Sequence, residues 1–189
     1  MPKPPILPVT DWKAVFESGK SYSDWIAGAE NPEKKRAIED GLAAQPLDPQ
    51  IEGFLWKLPR VVYVVAIAED WCGDVVRHVP VLQRLAQACD KVGVRFITRE
   101  QHKDIFIRFL TNGGEAIPKF IFLSGSFVEC GNWGPMPADC RKLIARGKAC
   151  GDLKKAREKV AALYQADPEK RAVVTELLEL IDLAAATVP

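Results

Sequence analysis

Few residues here can do nucleophilic, redox or metal chemistry: five cysteines and two histidines in 189 residues. Cys72 is set apart by its surroundings. It stands in Trp71-Cys72-Gly73-Asp74, between a β-branched apolar run and a stretch of helical periodicity, so its thiol falls at the first residues of a helix. Unpaired N–H groups and the helix macrodipole favour a thiolate there, and the expected pKa lies below the free-cysteine value of about 8.5. Asp74 opposes this, because a carboxylate one turn away makes a second negative charge costlier, although it suits the same helix end. A thiolate so placed is a nucleophile for disulfides. The alternative use of the same residue is as an inert thiol in a binding module.

The other cysteines make poor partners. Cys89 lies seventeen positions down the same helix, about 25 Å away at 1.5 Å per residue. Cys72, His78, His102, Cys130, Cys140 and Cys150 are zinc-type ligands, but they contain no CxxC or HxxxH pair, and His78 is about 240° round the helix from Cys72. No metal is expected.

The elements that must position Cys72 can be read on either side of it. Val61 to Val65 is apolar on both faces, as a central strand covered on two sides requires. After the turn, Val75, Val76, Val79, Leu82, Leu85 and Ala86 have the three-and-four spacing of an amphipathic helix running to about Asp90. Val92 to Thr98 reads as a second strand, and Asp104 to Leu110 as a helix stopped by Asn112-Gly113-Gly114. Lys119 to Leu123 and Phe127 to Gly131 flank Ser124-Gly125-Ser126 as an antiparallel hairpin. The order β-α-β-α-β-β-α between Arg60 and Gly147, with a right-handed crossover, places the first two strands parallel and helices on both faces. The expected strand order is second, first, third, fourth.

Helices flank this core. Thr10 is the expected cap of a helix carrying Trp12, Val15 and Phe16 and ended by Gly19, with a short turn over Ser23 to Ala27. Asn31-Pro32 and Asp48-Pro49 each supply an N-cap acceptor followed by proline at the first helical position, which predicts helices at 32–44 and 49–57. Beyond Pro137 the expected helices are about 138–149, 152–165 and 168–184, the last opened by Asp167-Pro168. The length suits one domain over 1–189, with a core of about 60–147, a helical prelude over 8–58 and a helical tail over 148–186.

Composition excludes some functions. A net charge of +1 gives no electrostatic reason to expect nucleic acid or an anionic membrane surface. Met1 to Pro8 is proline-rich and lacks the apolar run of a secretory signal, and Val61 to Ala68 falls far short of the roughly twenty residues that cross a bilayer. The odd cysteine count shows no disulfide framework. These features predict a cytoplasmic protein with its cysteines as thiols.

The Trp71-Cys72-Gly73-Asp74 turn and Ile117-Pro118 opening the third strand together resemble the thioredoxin superfamily. The stretch Ala68 to Asp74, with Asn112 to Pro118 as N-G-G-x-x-I-P, is similar to a bacterial thioredoxin-like family with a W-C-G-D turn. The resemblance implies a three-layer α/β/α sandwich on a four-stranded mixed sheet, with helical amino- and carboxy-terminal extensions. It also implies a cis peptide at Ile117-Pro118, with Pro118 against the cysteine. Trp71, Gly73, Asp74, Val75, Ile117 and Pro118 then shape the site, Trp71 shielding the thiol and offering partners an aromatic contact. Arg77 and Lys119 are candidates for the edge of the thiol pocket.

Three departures bear on activity: Val75 replaces the second motif cysteine, Asp74 the usual proline, and Ala66 the expected buried acid. With valine at 75 a mixed disulfide cannot be resolved internally at the turn, so dithiol reductase activity is not expected. Cys130 stands about two strand spacings, near 10 Å, from the Cys72 strand, beyond the roughly 7 Å that a disulfide spans. The leading expectation is a monothiol protein in which Cys72 attacks or caps a disulfide, its partner a disulfide- or thiol-containing protein or a small thiol, with no cofactor. The alternative is a catalytically inactive thioredoxin-fold interaction module. Nothing in the sequence sets an oligomeric state.

Overall fold

The computed structural model describes residues 10–187. The Met1 to Pro8 stretch, and with it the start of the expected prelude, lies outside the described residues. The helices are α1 (Trp12–Ser18), α2 (Tyr22–Ala27), α3 (Pro32–Ala44), α4 (Pro49–Trp56), α5 (Gly73–Gln87), α6 (Lys103–Phe106), α7 (Ala138–Ala149), α8 (Leu153–Ala166) and α9 (Arg171–Ala186). The strands are β1 (Val62–Ile67), β2 (Val92–Ile97), β3 (Lys119–Leu123) and β4 (Glu129–Trp133).

They form one mixed sheet in the order β2-β1-β3-β4. β1 pairs with β2 in parallel, Val64 opposite Val94, and with β3 antiparallel, Val64 opposite Phe122. β4 runs antiparallel to β3. This is the order and pairing that the sequence pattern predicts.

Alternation along the strands divides the two faces. Tyr63 points to the face covered by α1, where its ring lies 4.8 Å from that of Phe16. Val64, Phe122 and Gly131 share the other face, where α9 crosses β1, β3 and β4 and packs against α5. A Cβ on Gly131 would sit 2.8 Å from Leu180 of α9, so the missing side chain is what lets that helix approach. Val75, Val79, Leu82 and Leu85 of α5 are all buried, and such side chains each contribute about 1.5–3 kcal/mol.

Several boundaries differ from expectation. β4 starts at Glu129, not Phe127, because Phe127 takes φ +60° and Ser124 Oγ accepts the N–H groups of Ser126 and Val128, which lengthens the turn. The span 104–110 divides into α6 and a 3-10 turn, Ile107–Phe109. Residues 22–27 form a helix capped by Ser21, and α1 is capped by Asp11 in place of Thr10. Asp167-Pro168 does not open α9. Asp167 instead accepts the N–H groups of Arg171 and Ala172, and Lys170 bridges to the helix at φ +57°. No helix among the described residues is long and apolar enough to cross a membrane.

Candidate functional site

Cys72 is the N-cap of α5. Its extended backbone (φ −81°, ψ 127°) ends the loop after β1, and its carbonyl accepts the Val76 N–H at 3.0 Å. The half-buried thiol donates to the carbonyl oxygen of Ile117, in the loop just before β3, at 3.4 Å. The Ile117-Pro118 peptide is cis, as is Gly134-Pro135, and Pro118 itself is buried. Gly134 sits at φ +122°, and a Cβ there would collide with the Pro118 carbonyl oxygen, so glycine lets the loop after β4 close on the β3 entrance.

The thiol's acidity differs from expectation. Burial pushes the Cys72 pKa up from the ordinary cysteine value; the amides of Val75 and Asp74 work against that shift, and the carboxylates of Asp74 and Glu69 add to it. A helix N-terminus is legible in sequence; the desolvation that outweighs it is set by the tertiary wall around the sulfur.

Trp71 is 56% exposed at the rim. The Arg99 guanidinium lies 5.3 Å from the centre of its ring, and is held by Glu69 at 3.1 Å and Glu115 at 3.3 Å. Asp70 turns away from the thiol and accepts the N–H groups of Glu30 and Asn31, which ties the prelude to the motif. Nothing lies within 4 Å of where a Gly73 Cβ would be. Val75 is fully buried in the first turn of α5.

Asp74 enters a buried polar chain. The Tyr164 hydroxyl of α8 donates to Asp74 Oδ1 at 3.3 Å and lies 3.2 Å from His78 Nε2. With the tyrosine hydrogen directed at the carboxylate, the network assigns the hydrogen of the imidazole to Nε2 and leaves Nδ1 buried without a partner. Burial, with Arg77 and Lys170 nearby, lowers the His78 pKa to about 3, so the ring is neutral even though Asp74 lies 4.0 Å away. Burial also raises the Asp74 pKa, against the Tyr164 hydrogen bond and Arg77.

A groove of about 260 Å³ opens beside the thiol, lined by Cys72, Asp74, Ile117, Met136, Arg141 and Lys148 among others. Arg77 and Lys119 do not edge it. Arg77 stacks on Tyr164 at 4.0 Å and donates to the Tyr164 carbonyl, while Lys119 is buried, donates to the Gly134 carbonyl at 2.9 Å and has its pKa lowered to about 8 by burial. The basic residues at the groove come from α7, to which the sequence pattern assigns no role. Cys130 donates to the Val128 carbonyl and neighbours Thr187, whereas Cys140 of α7 lies within the electrostatic reach of Asp74.

Sequence reasoning thus missed Tyr164, Arg141 and Lys148. One signal was present: Asp74 and His78 are four apart, hence on one helix face. Among the described residues no group of His, Cys, Asp and Glu side chains could hold a metal ion.

A β-α-β-α-β-β-α core with a cysteine capping the first crossover helix, opposite a proline at the entrance to β3, defines a thioredoxin-like protein. The family model described as Thioredoxin matches residues 20–157, and the chain belongs to that family. The comparison with curated proteins gave no match. Among solved structures, a protein of unknown function from Pseudomonas aeruginosa is similar, with 16% identity, a TM-score of 0.70, and 92% of this chain and 98% of that one covered. An HIV epitope scaffold is similar at 16% identity and a TM-score of 0.61, over 83% of this chain and 99% of that one. At such identity these likenesses show the fold.

Proposed function

We propose that this protein carries out monothiol thiol–disulfide exchange at Cys72. The observation that carries the reading is the placement of one part-exposed thiol at a helix N-cap and open to a groove. The thiolate attacks a substrate disulfide, a mixed disulfide forms and one substrate thiol leaves. Val75 offers no second sulfur, so an external thiol or a second protein completes the cycle. Partners of this chemistry are disulfide- or thiol-containing proteins or small thiols, met without cofactor or metal. Trp71, Gly73, Asp74, Val75, Ile117 and Pro118 shape the site. Five free cysteines suit the reducing cytoplasm of a bacterium, and the prelude, core and tail act as one domain.

A second reading, an inactive interaction module, is favoured by the raised thiol pKa and by the Ile117 hydrogen bond, which holds the sulfur as a thiol. Adduct lifetime and turnover separate the two. Under the first reading, a mixed disulfide at Cys72 persists until external thiol is added, and no turnover occurs when thioredoxin reductase is the electron source. Absence of any adduct at Cys72 selects the second.

A further inference from the structure

Exchange at a single thiol needs two proton transfers: a proton must leave the Cys72 sulfur before attack, and a proton must reach the departing sulfur if that sulfur is strongly basic. Among the described residues lining the groove only two carry carboxylates, Asp74 and Glu115. Glu115 stands at the rim, paired with Arg99. Asp74 is held from behind: its Oδ1 takes the Tyr164 hydroxyl hydrogen, its side chain keeps 30% of its surface exposed, and it opens into the same groove as the thiol.

Resting on the monothiol reading, we propose that Asp74 accepts the proton of the Cys72 thiol and returns it to the departing thiolate, and that Tyr164, from the helical tail, is the residue that positions it. The step balances without an external redox agent. The Cys72 hydrogen leaves the Ile117 carbonyl oxygen that accepts it at rest, the S–H bond breaks, and the proton passes to the Asp74 carboxylate across the groove both residues line. The sulfur then bonds to one sulfur of a dialkyl disulfide as the S–S bond breaks, and the second sulfur leaves with the electron pair and takes the proton from Asp74. Cys72 and one substrate sulfur end as a disulfide, the other as a thiol.

The surroundings suit this role. Asp74 is faced by Arg77 and His78 on its own helix, by Tyr164 of α8 and by Cys140 of α7, while Glu69 faces the thiol and Arg141 and Lys148 stand at the groove. His78 is neutral, and burial pushes the Tyr164 pKa up, so the hydroxyl stays a donor across the working range. The raised pKa of the carboxyl makes it a better acceptor for the thiol's proton. The Tyr164 hydroxyl thereby ties helix α8 of the tail to the site.

Three reagents test this on the full-length reduced protein at pH 7, with the modified cysteine mapped by mass. Iodoacetamide reports thiolate alone. An aromatic dithiodipyridine releases a weakly basic thiolate that needs no proton, whereas hydroxyethyl disulfide releases one that does. In Asp74→Asn, removal of a negative charge should leave the first two rates equal to or above wild type, while the hydroxyethyl disulfide rate falls about tenfold or more. Tyr164→Phe should lower the ratio of dialkyl to aromatic rates in the same direction by a smaller factor, and Asp74→Glu should recover part of it. Should Asp74→Asn fail to fold, Asp74→Ser serves the same comparison. If all three rates move together in the folded variants, the proton-transfer role is overturned while the monothiol reading stands. If wild-type Cys72 is inert to all three reagents, the monothiol reading fails and this inference with it.

Discussion

His78 makes stability depend on pH in a way that can be calculated. Its ring is fully buried, edge-on to Trp133 at 5.2 Å and beside Tyr164. In the unfolded chain the imidazole takes up a proton near 6.5, whereas in the fold it stays neutral down to about 3. The unfolded state therefore binds the extra proton across that window, so stability is full above about 6.5 and is lost as the pH falls towards 3. The limiting slope is about 1.36 kcal/mol per pH unit, which makes the loss between pH 7 and pH 5 about 2 kcal/mol. Asp74 works in the opposite sense, since its raised pKa lets the fold take up that proton more readily than the unfolded chain does. A variant comparison isolates the histidine. Urea unfolding of the wild type and of His78→Gln at pH 7 and pH 5 measures both slopes at constant ionic strength. The glutamine can still donate to Tyr164 but cannot titrate. We expect the variant to be less stable at pH 7, from lost packing, and to lose about 2 kcal/mol less than wild type on acidification. Equal losses in the two proteins would refute the assignment of His78 as a buried neutral base.

Two further predictions concern the walls of the site. Gly134→Ala places a side chain at φ +122° against the Pro118 carbonyl, and backbone strain plus overpacking should cost about 3 kcal/mol or more, seen as a large fall in melting temperature with groove reactivity lost alongside it. Val75→Cys restores a sulfur at a fully buried position of similar volume, so stability should drop by about 1 kcal/mol or less, while non-reducing peptide mapping should reveal a disulfide between Cys72 and the introduced thiol, and the reductase-coupled assay some turnover. No disulfide in a folded variant would show that the turn has lost its dithiol geometry.

How far the site was legible depended on the range of the interactions. Strand order, the parallel β1–β2 pair and the helix after Cys72 follow from local patterns: the two-sided apolar run at 61–65, the three-and-four spacing from Val75, and the turn residues between segments. Boundaries failed where a single positive φ decided them, at Phe127 and Lys170, neither of which is glycine or asparagine. The acidity of Cys72 is half legible: the helix end and the opposing Asp74 are local, while the desolvation that outweighs the amides is tertiary. Tyr164 was unreadable for a similar reason: it reaches Asp74 across 90 residues of chain, and an isolated tyrosine on an amphipathic helix carries no signal of its partner.

The central claim is that Cys72 is a reactive thiol in a built site, and the most direct measurement is competition among the five cysteines for a limiting reagent. The reduced protein is exposed near neutral pH to less than one equivalent of a disulfide reagent, quenched with acid, and its mixed disulfide located by intact mass and peptide mapping. Cys89 is buried and Cys150 is exposed, so they bracket the reactivity expected from access alone. The account predicts that the label sits on Cys72 ahead of both. A label found mainly on Cys150, with Cys72 no faster than Cys89, would contradict it.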